Sequence, residues 1–219
     1  MEELFPGVYQ DGDALYTRNL VPGETVYGED LVEEDVEYRR WDPHRSKAAA
    51  ALTKDLSAFP VDEESAVLYL GASTGTTVSH VSDIAASGFV YAVEYAPAIA
   101  RKLLQLGEQR ENVAPILGDA RTPEEYAPLC SEVDVIYQDV AQRDQVRILE
   151  ENADTFLTDD GHALLAIKAQ SIASEKEPAE VFAEAKEQLR EQFEIVAGKK
   201  LEPFHENHLF LVLKRGKRS

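Results

Sequence analysis

Four side chains that can do chemistry stand where apolar, strand-like segments end. Glu94 closes "FVYAVE", Asp119 closes "VAPILGD", Asp139 follows "VDVIYQ" and Lys168 closes "ALLAIK". Before them, "VLYLGASTGTT" runs an apolar segment into a glycine turn at residues 71–77. In parallel α/β sheets, ligands bind beyond the carboxyl ends of the strands, so all five features face one ligand. The turn is no phosphate loop, because Gly75 is followed by Thr76 and Thr77 where a lysine is required. Gly71 and Gly75 also lack the third glycine of a dinucleotide turn. Its plainer reading is a tight strand–helix connection. Glu94 stands about 20 residues beyond Gly71, the spacing at which an acid meets a ribose hydroxyl pair. A solvated strand-end acid is the alternative. Asp119 suits the exocyclic amine of an adenine, or an ordinary Gly-Asp turn. Lys168 is unusual in so apolar a run; desolvation lowers its pKa and a neighbouring Asp139 raises it. Together the residues favour an adenosine ligand without phosphates. S-adenosylmethionine is the candidate, with Asp139 and Lys168 facing a methyl acceptor.

These side chains need a scaffold, and the pattern supplies one. From Val67 onward, strand and helix patterns alternate: strands at "AVLYLGA", "FVYAVEYA", "VAPILGDA", "VDVIYQDV" and "GHALLAIKAQS", each followed by a helical stretch. Two strands close the chain, "FEIVAGKKLEP" and "NHLFLVLKR". β-branched, apolar strands suit a sheet buried on both faces. The alternation predicts an α/β, doubly wound, mostly parallel sheet. The last two strands lie too close for a crossover and should pair antiparallel. Residues 1–38 read as a small antiparallel unit, with an Asp-Gly turn in "GVYQDGDALY". Asp42 before Pro43 reads as a helix start, continued by the alanine run 48–51. The expected units are a β-rich N-terminal domain with its linking helix, 1–55, and a catalytic domain, 56–219.

A chain of 219 residues, 44% hydrophobic, can build one full core. The single Cys130 forms no internal disulfide, which suits a reducing cytoplasm; it is expected to be a small buried filler. No signal peptide, membrane span or metal is expected. The net charge of −19 repels nucleic acid at ordinary salt. In molar salt the Debye length falls to about 3 Å and that repulsion fades. Scattered acids and few lysines favour a halophilic protein, so charge does not veto an RNA partner.

The stretches "NLVPGETVYGED", "YRRWDPHRSKAAAAL", "YLGASTGTTVSHVSDI", "VYAVEYAP", "VIYQDVAQRDQ" and "AIKAQSI" resemble the fibrillarin family in its archaeal form, over residues 5–214. The resemblance implies a Rossmann-like, S-adenosylmethionine-dependent RNA 2′-O-methyltransferase acting on rRNA and tRNA. It implies a box C/D ribonucleoprotein: a guide RNA, a kink-turn-binding ribosomal-type protein and a coiled-coil scaffold protein. It places cofactor contacts on Thr76, Thr77, Glu94, Tyr95, Asp119, Ala120, Asp139, Val140, Ala141 and Gln142. It places a catalytic set on Lys47, Asp139, Lys168 and His208, and leaves His205 at the surface. "GAST" and "WDPHRSKAAAA" depart from the commoner "GAAS" and "WNPFRSKLAAA", keeping size and turn chemistry. The glycine- and arginine-rich tail of eukaryotic members is absent. Lys168 and Asp139 are expected to orient and deprotonate the hydroxyl, Lys47 to set their charge state, and His208 to steady the site or the RNA. Guide pairing would select the site. Arg39, Arg40, Arg45, Lys47 and the tail "LKRGKRS" are candidate backbone contacts; surface ion pairing and a frayed end are the plainer readings. A non-catalytic scaffold subunit is the rival function.

Overall fold

A computed structural model describes residues 1–216. Five short strands come first: β1 (Glu2–Phe5), β2 (Val8–Asp11), β3 (Ala14–Arg18), β4 (Leu31–Glu33) and β5 (Glu37–Trp41). They form an antiparallel sheet in the order β1-β2-β3-β5-β4. The expected hairpin is present: Asp11 pairs with Ala14 across Gly12 and Asp13.

The linking helix α1 (Lys47–Thr53) starts later than Asp42. Asp42 is occupied by a turn: its carbonyl accepts Arg45 N and Ser46 N, and its side chain accepts His44 N. Ser46 caps the helix instead, accepting from Ala49 N. This makes Lys47 the first helical residue. Ala48 to Ala51 are fully buried, and their small side chains let α1 lie against strands of both sheets.

The rest alternates: β6 (Ala66–Leu70), α2 (Thr76–Ile84), β7 (Phe89–Glu94), α3 (Pro97–Gln109), β8 (Val113–Leu117), α4 (Pro123–Tyr126), β9 (Val133–Gln138), α5 (Gln145–Phe156), β10 (Leu157–Lys168), α6 (Ala169–Ile172), α7 (Pro178–Leu189), β11 (Phe193–Lys200) and β12 (His208–Arg215). The sheet order is β11-β12-β10-β9-β6-β7-β8. β8, β7, β6, β9 and β10 run parallel, and β12 is antiparallel to β10 and β11. The expected doubly wound sheet with an antiparallel C-terminal hairpin is what forms. The chain winds outward from β6 to β8, then returns to β9, so the order reverses between β6 and β9. Asp139 N donates to Leu70 O there, at 2.9 Å. Such a switch point leaves a crevice at the strand ends.

One hydrophobic cluster joins the sheet to α1, α2, α3 and the N-terminal strands through Val8, Leu15 and Trp41; a second joins its other face to α5 and α7. Between the two sheets lies a buried charge network. Arg39 on β5 donates to Glu29 (2.6 Å), Asp83 (2.8 Å) and Ser79 (2.9 Å). Arg110 donates to the other Asp83 oxygen at 2.6 Å. Thr17 Oγ1 and Leu20 N complete that carboxylate. Arg39 is therefore no surface cation: its side chain is 0% exposed.

Candidate functional site

The crevice is built from its turn upward. Gly71 follows β6 with φ of +81°. A Cβ there would collide with the Asp139 carbonyl oxygen, so the end of β9 closes directly on the turn. Ser73 (φ +50°) and Gly75 (φ +89°) continue it, and Gly75 leads into α2. Gly71→Ala is expected to cost about 1–2 kcal/mol for the left-handed backbone alone. It should also weaken S-adenosylmethionine at least about tenfold by pushing β9 outward. Calorimetry and urea melts check this; wild-type affinity contradicts it.

A cleft of about 240 Å³ lies over the ends of β6, β7, β8 and β9. Gly71, Glu94, Tyr95, Asp119, Ala120, Asp139, Val140, Ala141 and Gln142 line it, as expected. Ser73, Val93, Gly118 and Ile148 line it too, and the sequence reading passes over them. Glu94 is held at the rim: its carboxylate accepts Ser73 N and Ala96 N, both at 2.8 Å. Asp119 pairs with Arg121, at 2.6 Å from its Nη2. That arginine's hydrogen bonds hold the Asp119 carboxyl below its usual value. Among the described residues no lysine or arginine lines the cleft, whereas three carboxylates do, Asp119 and Asp139 each paired with a cation from outside the lining. This suits a ligand with no phosphate and a positive sulfonium.

Gly75, Thr76 and Thr77 do not line the cleft. Thr77 is buried and donates to Ser46 Oγ at 3.0 Å. It ties the start of α2 to the cap of α1, and so to Lys47. Thr77→Val is expected to lower kcat about tenfold through misplacement of Lys47, with S-adenosylmethionine affinity within about twofold. A tenfold loss of cofactor affinity would make Thr77 a cofactor contact instead.

Beside the cleft, Lys47 Nζ donates to Asp139 Oδ2 at 2.6 Å, with both side chains about a quarter exposed (23% and 24%). Lys168 at the end of β10 pairs across strands with His208 at the start of β12. His208 is half-buried and feels Lys47, Asp139 and Lys168. Burial, then the lysines, push its pKa below 6.5. Its Nδ1 lies 2.7 Å from Glu206 O. A carbonyl only accepts, so Nδ1 carries the proton and Nε2 keeps its lone pair. The four expected catalytic residues are thus brought together. His205 is not at the surface: it is half-buried and its Nε2 donates to Pro43 O at 2.9 Å.

Beneath Asp139, Tyr69 and Tyr137 are register partners whose rings stack at 4.3 Å. Burial, then Asp139, raises the Tyr69 phenol well above its ordinary value, so it stays protonated. Arg40 and Arg45 are exposed, and Arg40 takes the surface ion pair with Asp30 at 3.3 Å. Of the tail, Arg215 is buried and donates to Ala153 and Leu157 carbonyls, which removes it as an RNA contact. Lys217, Arg218 and Ser219 lie outside the described residues.

The family model described as Fibrillarin matches residues 1–217. A "Fibrillarin-like rRNA/tRNA 2'-O-methyltransferase" of Thermococcus sibiricus is 47% identical over 218 residues, covering 96% of each chain. A fibrillarin solved as a "fibrillarin/Nop5p complex" superposes with a TM-score of 0.92 at 40% identity, covering 98% of this chain and 100% of that one. Aeropyrum pernix fibrillarin, solved with natively bound S-adenosyl-L-methionine, superposes with a TM-score of 0.85 at 46% identity, covering 91% and 88%.

Proposed function

The chain belongs to the fibrillarin family, and on that premise we propose that it is an S-adenosylmethionine-dependent 2′-O-methyltransferase of rRNA and tRNA. The observation that carries the proposal is the Lys47–Asp139 pair, whose Asp139 lines the cleft and which acts on His208 together with Lys168. The work is done in a cytoplasmic box C/D particle. Its guide RNA selects the ribose, a kink-turn-binding protein seeds assembly, and a coiled-coil protein of the Nop5p kind docks the enzyme. The charge of −19 supports work in molar salt.

S-adenosylmethionine supplies an electrophilic methyl on a positive sulfonium. The chain's own residues do the rest. Asp139 and Lys168 hold the 2′-hydroxyl in line with the cleft and draw its proton away as the C–O bond forms. Lys47 orients the Asp139 side chain through the 2.6 Å contact to its Oδ2. His208, neutral at pH 7, stands in the field of Lys47, Asp139 and Lys168 with Nε2 unprotonated.

The test is reconstitution with guide RNA and partner proteins in high salt, followed by mapping of methylated riboses. Methylation at the guided nucleotide is expected; methylation without a guide, or none, overturns the proposal. A pH profile adds a check on His208. Its depressed pKa leaves it neutral above the ordinary value of 6.5, so the rate should not fall as the pH drops to that point. The fall comes below it, as the imidazole gains its proton. A rate already halved at 6.5 contradicts the assignment.

A further inference from the structure

A second hollow, of about 610 Å³, lies between residues 25–27, Arg45 and α3. We propose that it holds the RNA strand adjoining the target nucleotide, with one phosphate on Arg45 and another on Lys102. The proposal rests on the function proposed above. Position is its first support. Arg45 stands two residues before Lys47, whose amine meets Asp139, and Thr74 reaches the hollow from the glycine turn. The hollow shares no lining residue with the cofactor cleft, yet Arg45 and Thr74 are near neighbours in the chain of Lys47 and of Ser73, which lines that cleft.

Charge is the second support. In a chain with 41 acidic and 22 basic residues, the hollow reverses the prevailing sign: Arg45 and Lys102 line it against Glu108 alone. Lys102, Gln105 and Gln109 stand on one face of α3, so a cation and two amides point the same way. Cations grip a phosphodiester chain, while amides and hydroxyls suit its sugars and base edges. The lining residues with apolar surface, Val26, Leu106 and the Tyr27 ring already covered by Arg45, make a small apolar centre for a protein partner.

Preorganisation is the third. The Arg45 guanidinium lies over the Tyr27 ring, 5.4 Å from its centroid. The Tyr27 hydroxyl lies 2.8 Å from His80 Nε2 and 2.9 Å from Arg40 O, and burial keeps it protonated. A ring fixed from behind holds the guanidinium in place before RNA arrives. Less side-chain freedom is then lost on binding.

The test uses the reconstituted particle with Arg45→Ala, Lys102→Ala and the double variant. Both residues are exposed, so the fold should survive, which a melting curve confirms. The double variant is expected to raise KM for substrate RNA about tenfold with kcat within about twofold. Its plot of log KM against log salt should flatten by about 1.4–1.8, two phosphate contacts on an unpaired or a guide-paired strand. An unchanged KM and slope in a particle that still methylates overturns the RNA groove. So does weakened assembly with unchanged RNA dependence, which assigns the surface to a protein partner. Absence of any guided methylation by the wild type overturns the underlying function as well, and the parallel wild-type assay distinguishes that case.

Discussion

Asp139→Asn is expected to lower guided methylation about 10³-fold while S-adenosylmethionine binding changes by less than about tenfold. Asparagine keeps the size of Asp139 and removes its charge. Lys47 then loses the partner 2.6 Å away, and the incoming hydroxyl loses the anion that would take or direct its proton. The backbone is spared, because Asp139 N still donates to Leu70 O and Gly71 still fits beneath the Asp139 carbonyl. The cleft thus keeps its shape while the reactive corner fails. Single-turnover methylation and calorimetry on one preparation check this. Activity within tenfold of wild type removes Asp139 from the chemistry.

Asp83→Ala is expected to destabilise the protein by about 3–5 kcal/mol, a large share of the roughly 5–15 kcal/mol that holds a domain folded. Asp83 is fully buried and neutralises two buried guanidiniums, Arg39 from the N-terminal sheet and Arg110 from the end of α3. Its removal strands both charges away from water. Glu29 still faces Arg39, whereas Arg110, among the described residues, is left hydrogen bonds to the Ser79 carbonyl and the Ser82 hydroxyl. Neighbouring His80 cannot help, since burial and both arginines hold it neutral. Urea denaturation measures the effect; a loss under about 1 kcal/mol contradicts it.

Much of this architecture is legible in the sequence because it is local. Strand-to-helix alternation places Glu94, Asp119, Asp139 and Lys168 at strand ends, and the sheet brings those ends together. The late start of α1 is less legible, since Asp42 and Ser46 both have capping side chains. Only the fold shows that Asp42 is used by a turn. Lys47 carries no local signal at all: its partner lies 92 residues away, and only family resemblance points to it. Arg39 misleads for a related reason. "YRRW" resembles a basic surface patch, but alternation along β5 turns Arg39 inward to Asp83 and leaves Arg40 outside. Thr77 is a cofactor contact by resemblance alone, and its hydroxyl hydrogen bond to Ser46, 31 residues away, carries no local signal. Arg121 is passed over, although its place two residues beyond Asp119 permits the pair that forms. Cys130, expected to be a buried filler, is half-buried, and burial raises its thiol to about 11.

The central claim is methyl transfer to a ribose oxygen at the Lys47–Asp139 corner. It is tested most directly with two guided RNA substrates, identical except that one carries a 2′-deoxy sugar at the target nucleotide. Labelled methyl from S-adenosylmethionine should enter the ribose substrate at that nucleotide and leave the deoxy substrate unlabelled. Equal labelling of both would place the methyl on a base and contradict the account.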